Sequence, residues 1–165
     1  MKIGIISDSH DDYANIVRAV EVFNRHEVQY VLHAGDIASP LAAELFGRLD
    51  SANFIGVFGN SDVDRALLKS NVEQFGGQMH KRRYEGNLNG KRIYMTHKPD
   101  EISGVIDNRA CDLVIYGHTH KQDIRDSDGV FIVNPGEATG RFRGSGTVVI
   151  LDLADMSYEV EALGD

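Results

Sequence analysis

Lys2-Ile3-Gly4-Ile5-Ile6-Ser7-Asp8-Ser9-His10 is the stretch that decides the fold. The apolar run Ile3 to Ile6 is continuous rather than alternating, which suits a strand covered on both faces inside a layered α/β core. The chain then turns abruptly polar. Asp11 and Asp12 precede Ile16, Val17, Val20 and Phe23, whose spacing is that of an amphipathic helix with an acidic start. The same order then repeats: a strand over 30–34, a short helix over 40–49 with Pro40 in its first turn, and a strand over 53–58. Recurrent strand-helix-strand units imply a parallel sheet.

Further along, the spacing predicts a helix from Val63 to Phe75, closed by Gly76 and Gly77. Asn89-Gly90 between the apolar runs of 84–94 is a strong hairpin signal. Strands are expected over 112–116, 130–133, 146–153 and 157–162, joined by tight turns with little room for helices. The second half is therefore richer in antiparallel strands. No linker, repeat or low-complexity stretch interrupts the chain, and at about 150 residues per domain its length suits a single domain over 1–165. Two sheets packed together with helices outside is the simplest architecture.

Hydrophobic residues make up 42% and charged residues 25%, which excludes disordered, collagenous and coiled-coil classes. The net charge of -8 repels polyanions, so sequence-specific or sequence-blind nucleic-acid binding is not expected unless ions or a local basic patch reverse the field. The only cysteine, Cys111, rules out an intrachain disulfide and four-thiolate zinc ligation; it reads as a small apolar residue at the start of a buried strand. No segment reaches the roughly 18 apolar residues of a membrane span. The first residues lack the pattern of a secretory signal, making cytoplasmic residence the expectation.

Chemistry-bearing residues fall at strand exits. Asp8 and His10 follow the first strand, Asp36 the second, Asn60 the third, His97 the strand beginning at Arg92, and His118 with His120 the strand ending at Tyr116. In an open α/β sheet, ligands bind at the carboxyl ends of parallel strands, so these residues can converge. Four imidazoles, two carboxylates and one amide suit a first-row divalent ion such as Mn²⁺, Fe²⁺, Ni²⁺ or Zn²⁺ better than Mg²⁺ or Ca²⁺. The set exceeds the needs of one ion and favours two, sharing a carboxylate. Gly35, Gly59 and Gly117 flank the set, where a missing Cβ lets the backbone turn closely around an ion or anion.

Asp8-Ser9-His10, Gly35-Asp36, Gly59-Asn60-Ser61-Asp62, Thr96-His97 and Gly117-His118-Thr119-His120, in that order, give the chain a pattern that resembles the calcineurin-like metallophosphoesterase superfamily. Its length and the Asn134-Pro135-Gly136 turn are most similar to a small subfamily of bacterial and archaeal phosphodiesterases that also includes a retromer subunit. The resemblance implies a four-layer sandwich of two mixed β-sheets flanked by helices. It puts Asp8, His10 and His120 on a first divalent ion and Asn60, His97 and His118 on a second, with Asp36 bridging them; manganese is the foremost candidate, with nickel, iron or zinc behind it. The implied activity is phosphoester hydrolysis by a metal-activated hydroxide, on a diester in preference to a monoester. The resemblance implies catalytic roles for Asp36, Asn60 and His97 and contact of Asn60 with a small-molecule phosphoester, and Lys98 is expected to meet the same substrate. Relatives of this size often form homo-oligomers. Two other readings are a non-catalytic interaction scaffold like the retromer subunit, and a monoesterase or nucleotide hydrolase on the same site.

The chain departs from the family pattern in places. Ser61 stands where many members have histidine, and a neutral hydroxyl is a poor acid for the leaving oxygen. Lys98-Pro99 replaces Gly-His after His97, offering an ammonium to the substrate instead. Asp11 and Glu137 read as additional rim acids. His26, His33 and His80 read as structural, at a helix end, in a strand and in a loop. Asp62 and Asp64 read as helix caps, Lys81 to Arg83 as a solvated edge or subunit contact, and Arg141 and Arg143 as an exposed loop.

Overall fold

A computed structural model describes residues 1–164. The apolar run becomes β1 (Lys2–Ile6), followed by α1 (Tyr13–Arg25), β2 (Tyr30–His33), α2 (Pro40–Glu44) with a 3₁₀ turn over Leu45–Arg48, β3 (Asn53–Val57), α3 (Arg65–Gln74) and β4 (Gln78–His80). After these come β5 (Arg83–Leu88), β6 (Lys91–Thr96), α4 (Ser103–Asp107), β7 (Leu113–Ile115), β8 (Gln122–Ser127), β9 (Val130–Pro135), β10 (Thr147–Asp152) and β11 (Tyr158–Ala162). Two mixed sheets result, ordered β11-β10-β1-β2-β3-β4 and β5-β6-β7-β9-β8. In the first, β1 to β4 run parallel and β10 and β11 add antiparallel. In the second, β6, β7 and β9 are parallel, with antiparallel β5 and β8 as edges.

The unbroken apolar run of β1 has the two-faced burial that its sequence requires. Ile3 and Ile5 meet Leu32, Met95, Ile115 and Val149 between the sheets, while Ile6 faces Ile16, Val20 and Phe23 of the helical layer. Gly4 is where the ring of Phe23 rests, and a Cβ there would collide with it. Asp12 starts α1 by accepting from the Asn15 amide at 3.1 Å. On the far side, Ile102, Val105 and Ile106 around α4 cover Tyr94, Val114 and Tyr116 of the second sheet. The layers are thus helices, sheet, sheet, helix, as the resemblance implied.

Three elements were not expected from the sequence: β4, β8 and α4. The segment forming β8, Gln-Asp-Ile-Arg-Asp-Ser, is polar because it is an edge strand with little to bury. A helix does find room in the second half, although it is only the short α4. His80 ends β4 rather than lying in a loop. α3 begins at Arg65, two residues later than read, and Asp64 alone caps it by accepting from the Leu67 amide at 3.2 Å. The Asn89-Gly90 turn is present as expected, with both residues at positive φ (52° and 80°). No helix among the described residues is long and apolar enough to cross a membrane.

Candidate metal centre

The carboxyl ends of β1, β2, β3, β6 and β7 face the same end of the sandwich, and their exit loops are stitched together. The Asp8 amide donates to the Gly35 carbonyl and that of His10 to the Asp36 carbonyl, both at 3.0 Å, while Gly117 donates to the His97 carbonyl at 3.0 Å. Two glycines make the close approach possible. Gly35 has φ +99° and a Cβ there would lie 2.7 Å from His97 Nδ1; at Gly117 a Cβ would strike Ser7 Oγ and come within 2.8 Å of Asp8 Oδ2. At both, as at Gly59 against Asp36, the space spared serves the side chains of the cluster rather than an ion or anion directly.

All seven sequence-predicted polar residues meet here. His120 Nε2 lies 3.4 Å and His10 Nε2 3.8 Å from Asp8 Oδ1, and the two imidazole nitrogens are 3.4 Å apart. Asp36 Oδ2 stands between the halves, 3.6 Å from His10 Nε2 and 3.4 Å from His97 Nε2. Asn60 Oδ1 is 3.0 Å and His118 Nδ1 3.2 Å from that same His97 nitrogen. Asp8, His10 and His120 form one group able to hold an ion, and Asp8, Asp36 and His97 another.

Fit to a cation is visible in one atom. Asp8 is fully buried; its Oδ2 accepts from Ser7 Oγ at 2.6 Å and the His118 amide at 3.0 Å, yet Oδ1 has no hydrogen-bond partner among the described residues. A buried, unpaired carboxylate oxygen is costly, and burial accordingly pushes the Asp8 carboxyl above its ordinary range. The orphan faces the imidazoles of His10 and His120, a nitrogen-and-oxygen donor set suited to a divalent first-row ion. Burial acts against Asp36 as well, but hydrogen bonds and charge from His97, together with the Ser61 amide at 2.7 Å, hold it well below the carboxylate range. Burial opposes the charge on His97, and the facing Asp36 and Asp8 nevertheless raise it.

The remaining contacts fix which nitrogen each ring presents. His97 Nδ1 donates to the Ala34 carbonyl at 2.9 Å, so Nε2 is the nitrogen turned toward Asp36 and Asn60 and the one able to ligate. His120 Nδ1 meets Glu137 Oε2 at 2.6 Å, turning its Nε2 toward Asp8. Glu137 is therefore no rim acid: it is buried, and its other oxygen accepts from the Phe142 and Arg143 amides at 2.8 and 2.7 Å. Asp11 also serves the loops, its Oδ1 accepting from the amide and hydroxyl of Ser39. Asp62 caps no helix. Buried, it accepts from the amides of Gly59 at 2.6 Å, Asp36 at 3.3 Å and Ala38 at 2.8 Å, tying two of the loops together.

His33 is structural, and its role is specific. Burial lowers its pKa to about 3, so the ring is neutral. It accepts from the Gly35 amide at Nδ1 and pairs through Nε2 with Ser9 Oγ, each at 3.1 Å, bracing the first loop against the second. Ser61 Oγ donates to Asp36 Oδ2 at 3.0 Å. Lys98 is exposed and shares a cavity wall with Asn60 and His97. The sequence reading missed Phe142, an exposed ring set edge-on to His120 at 4.9 Å and His10 at 6.0 Å.

Residues 1–156 match the model of the calcineurin-like phosphoesterase superfamily domain. Among curated proteins, phosphodiesterase MJ0936 of Methanocaldococcus jannaschii is 35% identical over 161 residues, covering 96% of both chains. A solved structure described as a novel archaeal phosphodiesterase superposes with a TM-score of 0.93 at 34% identity, over 98% of this chain and 99% of that one. Vacuolar protein sorting 29 from Cryptosporidium parvum shares the fold at 19% identity, with a TM-score of 0.69 over 98% of this chain and 95% of the other.

Proposed function

The chain belongs to the calcineurin-like phosphoesterase superfamily, and on that premise we propose that it is a metal-dependent phosphodiesterase acting on a small-molecule diester. The observation that carries the reading is the orphaned Asp8 Oδ1 facing two imidazoles, beside an Asp36 oxygen shared between His10 and His97. In this reading Asp8, His10 and His120 hold a first divalent ion, Asn60, His97 and His118 a second, and Asp36 both, with Mn²⁺ the foremost candidate. Such ions supply an activated water and neutralise charge gathering on the phosphoryl oxygens. They would also turn a centre with two protein carboxylates net positive, so that an anionic ester is attracted despite the overall charge of -8.

The chain's own residues prepare that chemistry. Ala34 and Glu137 fix the ring nitrogens that His97 and His120 present. Ser61 donates twice to Asp36, through amide and hydroxyl, and so holds its carboxylate in place. Asn60 Oδ1 faces His97, and the Nδ2 of the same side chain donates to Ser61 Oγ at 3.2 Å. Phe142 packs edge-on against the His10 and His120 rings, and Lys98 shares a cavity wall with Asn60 and His97 where its ammonium can meet an anionic ester. The reading extends to one domain over 1–165, residence in the cytoplasm and a homo-oligomeric assembly, the last decided by light scattering.

Hydrolysis of bis-p-nitrophenyl phosphate tests the proposal. Activity should require added Mn²⁺ and disappear on chelation. It should fall by more than about a hundredfold in Asp36→Asn, beyond the cost of losing a group that only supports a ligand. A metal-free, inactive wild type would overturn the reading in favour of an interaction scaffold, and a panel of mono- and diesters separates a monoesterase from a diesterase.

A further inference from the structure

Next to the metal-ligand cluster lies a cavity of about 230 Å³. Asn60 and His97 belong to its wall, and around them stand Arg65, Lys81, Arg82 and Lys98, with Glu101 the single acid. In a chain of net charge -8 this is a local reversal of sign. It is assembled from distant parts of the sequence. Arg65 opens α3, Lys81 and Arg82 make the turn from β4 into β5, and Lys98 follows the exit of β6.

The cations are not equivalent. Arg82 is paired with Glu101 at 2.9 Å. The Arg65 guanidinium donates to the Gly59 carbonyl at 2.6 Å and lies 5.2 Å from the Phe58 ring centroid, so its position is set although it forms no ion pair among the described residues. Lys81 and Lys98 form no ion pair among the described residues, and both are exposed where they line the cavity. Positive charge held unpaired in a concavity that opens onto candidate metal ligands is suited to an anion covalently linked to the reacting ester.

We propose that this cavity is a subsite for a second phosphate, and that the preferred substrate is a phosphodiester carrying a further phosphate group on one side of the scissile bond, as a phosphorylated nucleotide ester does. The inference rests on the phosphodiesterase reading and adds the substrate class. Lys81 and Lys98 supply the charge that recognises the second group, and Arg65 supplies a fixed edge to the pocket.

Two synthetic esters isolate the effect: thymidine 5′-(p-nitrophenyl phosphate), and the same ester bearing a 3′-phosphate. With the Mn²⁺-loaded full chain, kcat/KM should favour the 3′-phosphorylated ester by about tenfold, as expected for charge-assisted contacts in a partly exposed cleft. The preference should shrink with rising salt, vanish in Lys81→Ala, and reverse in Lys81→Glu. It should survive Lys91→Ala, which removes a cation at the distant hairpin. Equal efficiency toward the two esters, a preference untouched by Lys81→Glu, or one lost equally in Lys91→Ala would overturn the subsite and leave the phosphodiesterase reading standing. Hydrolysis of neither ester by a protein that cleaves bis-p-nitrophenyl phosphate would overturn the subsite alone, and cleavage of none of the three would overturn the phosphodiesterase reading and the subsite with it.

Discussion

Glu137→Gln should weaken metal binding while leaving the fold intact. The wild-type carboxylate makes three contacts from a buried position: one to His120 Nδ1 at 2.6 Å and two from the Phe142 and Arg143 amides. Glutamine has nearly the same shape, but its amide has one acceptor oxygen and one donor nitrogen. If the oxygen keeps the two backbone donors, the NH₂ faces His120, which must then present a lone pair at Nδ1 and a proton at Nε2, the nitrogen turned toward Asp8. A hydrogen bond to a charged group contributes roughly 1.5–3 kcal/mol, and at about 1.4 kcal/mol per tenfold this predicts a loss of roughly 10- to 100-fold in Mn²⁺ affinity. Isothermal titration of the chelator-stripped protein measures that affinity directly, and circular dichroism reports whether the fold survives. A folded variant whose Mn²⁺ affinity stays within about twofold of wild type would refute the claim that Glu137 sets the ring of His120 for a metal.

Other perturbations address different contacts. Because the Ser61 hydroxyl is already committed to Asp36, it should contribute little acid, and kcat/KM across a series of aryl and alkyl diesters should fall steeply as leaving-group pKa rises; a shallow dependence would contradict this. Phe142→Ala should raise KM for bis-p-nitrophenyl phosphate by roughly two- to tenfold, from an aromatic contact of about 0.5–1.5 kcal/mol, with a smaller change for a dialkyl ester measured beside it. His33 should make the protein acid-sensitive. Its folded pKa of about 3 lies below the ordinary 6.5, so the unfolded chain binds the additional proton between these values. Stability is then complete above about pH 6.5 and declines as pH falls toward 3, by on the order of 5 kcal/mol at about 1.4 kcal/mol per unit. Urea titrations of chelator-stripped wild type and His33→Gln across that range should show a flatter profile in the variant, and parallel profiles would remove the assignment.

How far the sequence discloses this molecule depends on whether a residue's role is local. The continuous apolar run of β1 announces a two-faced strand, and Asn89-Gly90 announces a turn, because both requirements are met within a few residues. The cluster is legible for a related reason: parallel strands end together, so polar residues placed directly after Ile6, His33, Val57, Thr96 and Ile115 are carried to one place by topology. β8 is illegible because an edge strand does not need an apolar face, and α4 because five residues make too short a period. Asp62 and Glu137 were misjudged since each acts across loops that only the folded chain brings together. Glu137 did carry a signal. It follows the exit of β9, the same position that singled out the other residues, and applying the strand-exit rule there would have drawn it into the cluster.

The backbone shows what that arrangement costs and why these residue types occupy it. Asp8, His10, Asp36, His118 and His120 all have positive φ, between 41° and 69°, a region that costs non-glycine residues roughly 1–2 kcal/mol each, though less for Asp and His than for most. Together with the orphaned oxygen of Asp8, this places unfavourable free energy on the order of 5–10 kcal/mol at one end of the sandwich, comparable to the entire net stability of an ordinary domain. A turn built for stability alone would put glycine at such positions, and the chain does so at Gly35, φ +99°. At Asp8, His10, Asp36 and His120 the chain instead keeps a carboxylate or an imidazole, and these side chains are the ones that bring Asp8 Oδ1 and Asp36 Oδ2 together with the ring nitrogens. His97 reaches the same cluster without this conformation, directly beyond the end of a buried strand and with its ring pinned by Ala34. The rigid sheets hold these loops in place, and of the cost they carry the orphaned oxygen of Asp8 is the part that a bound cation would relieve.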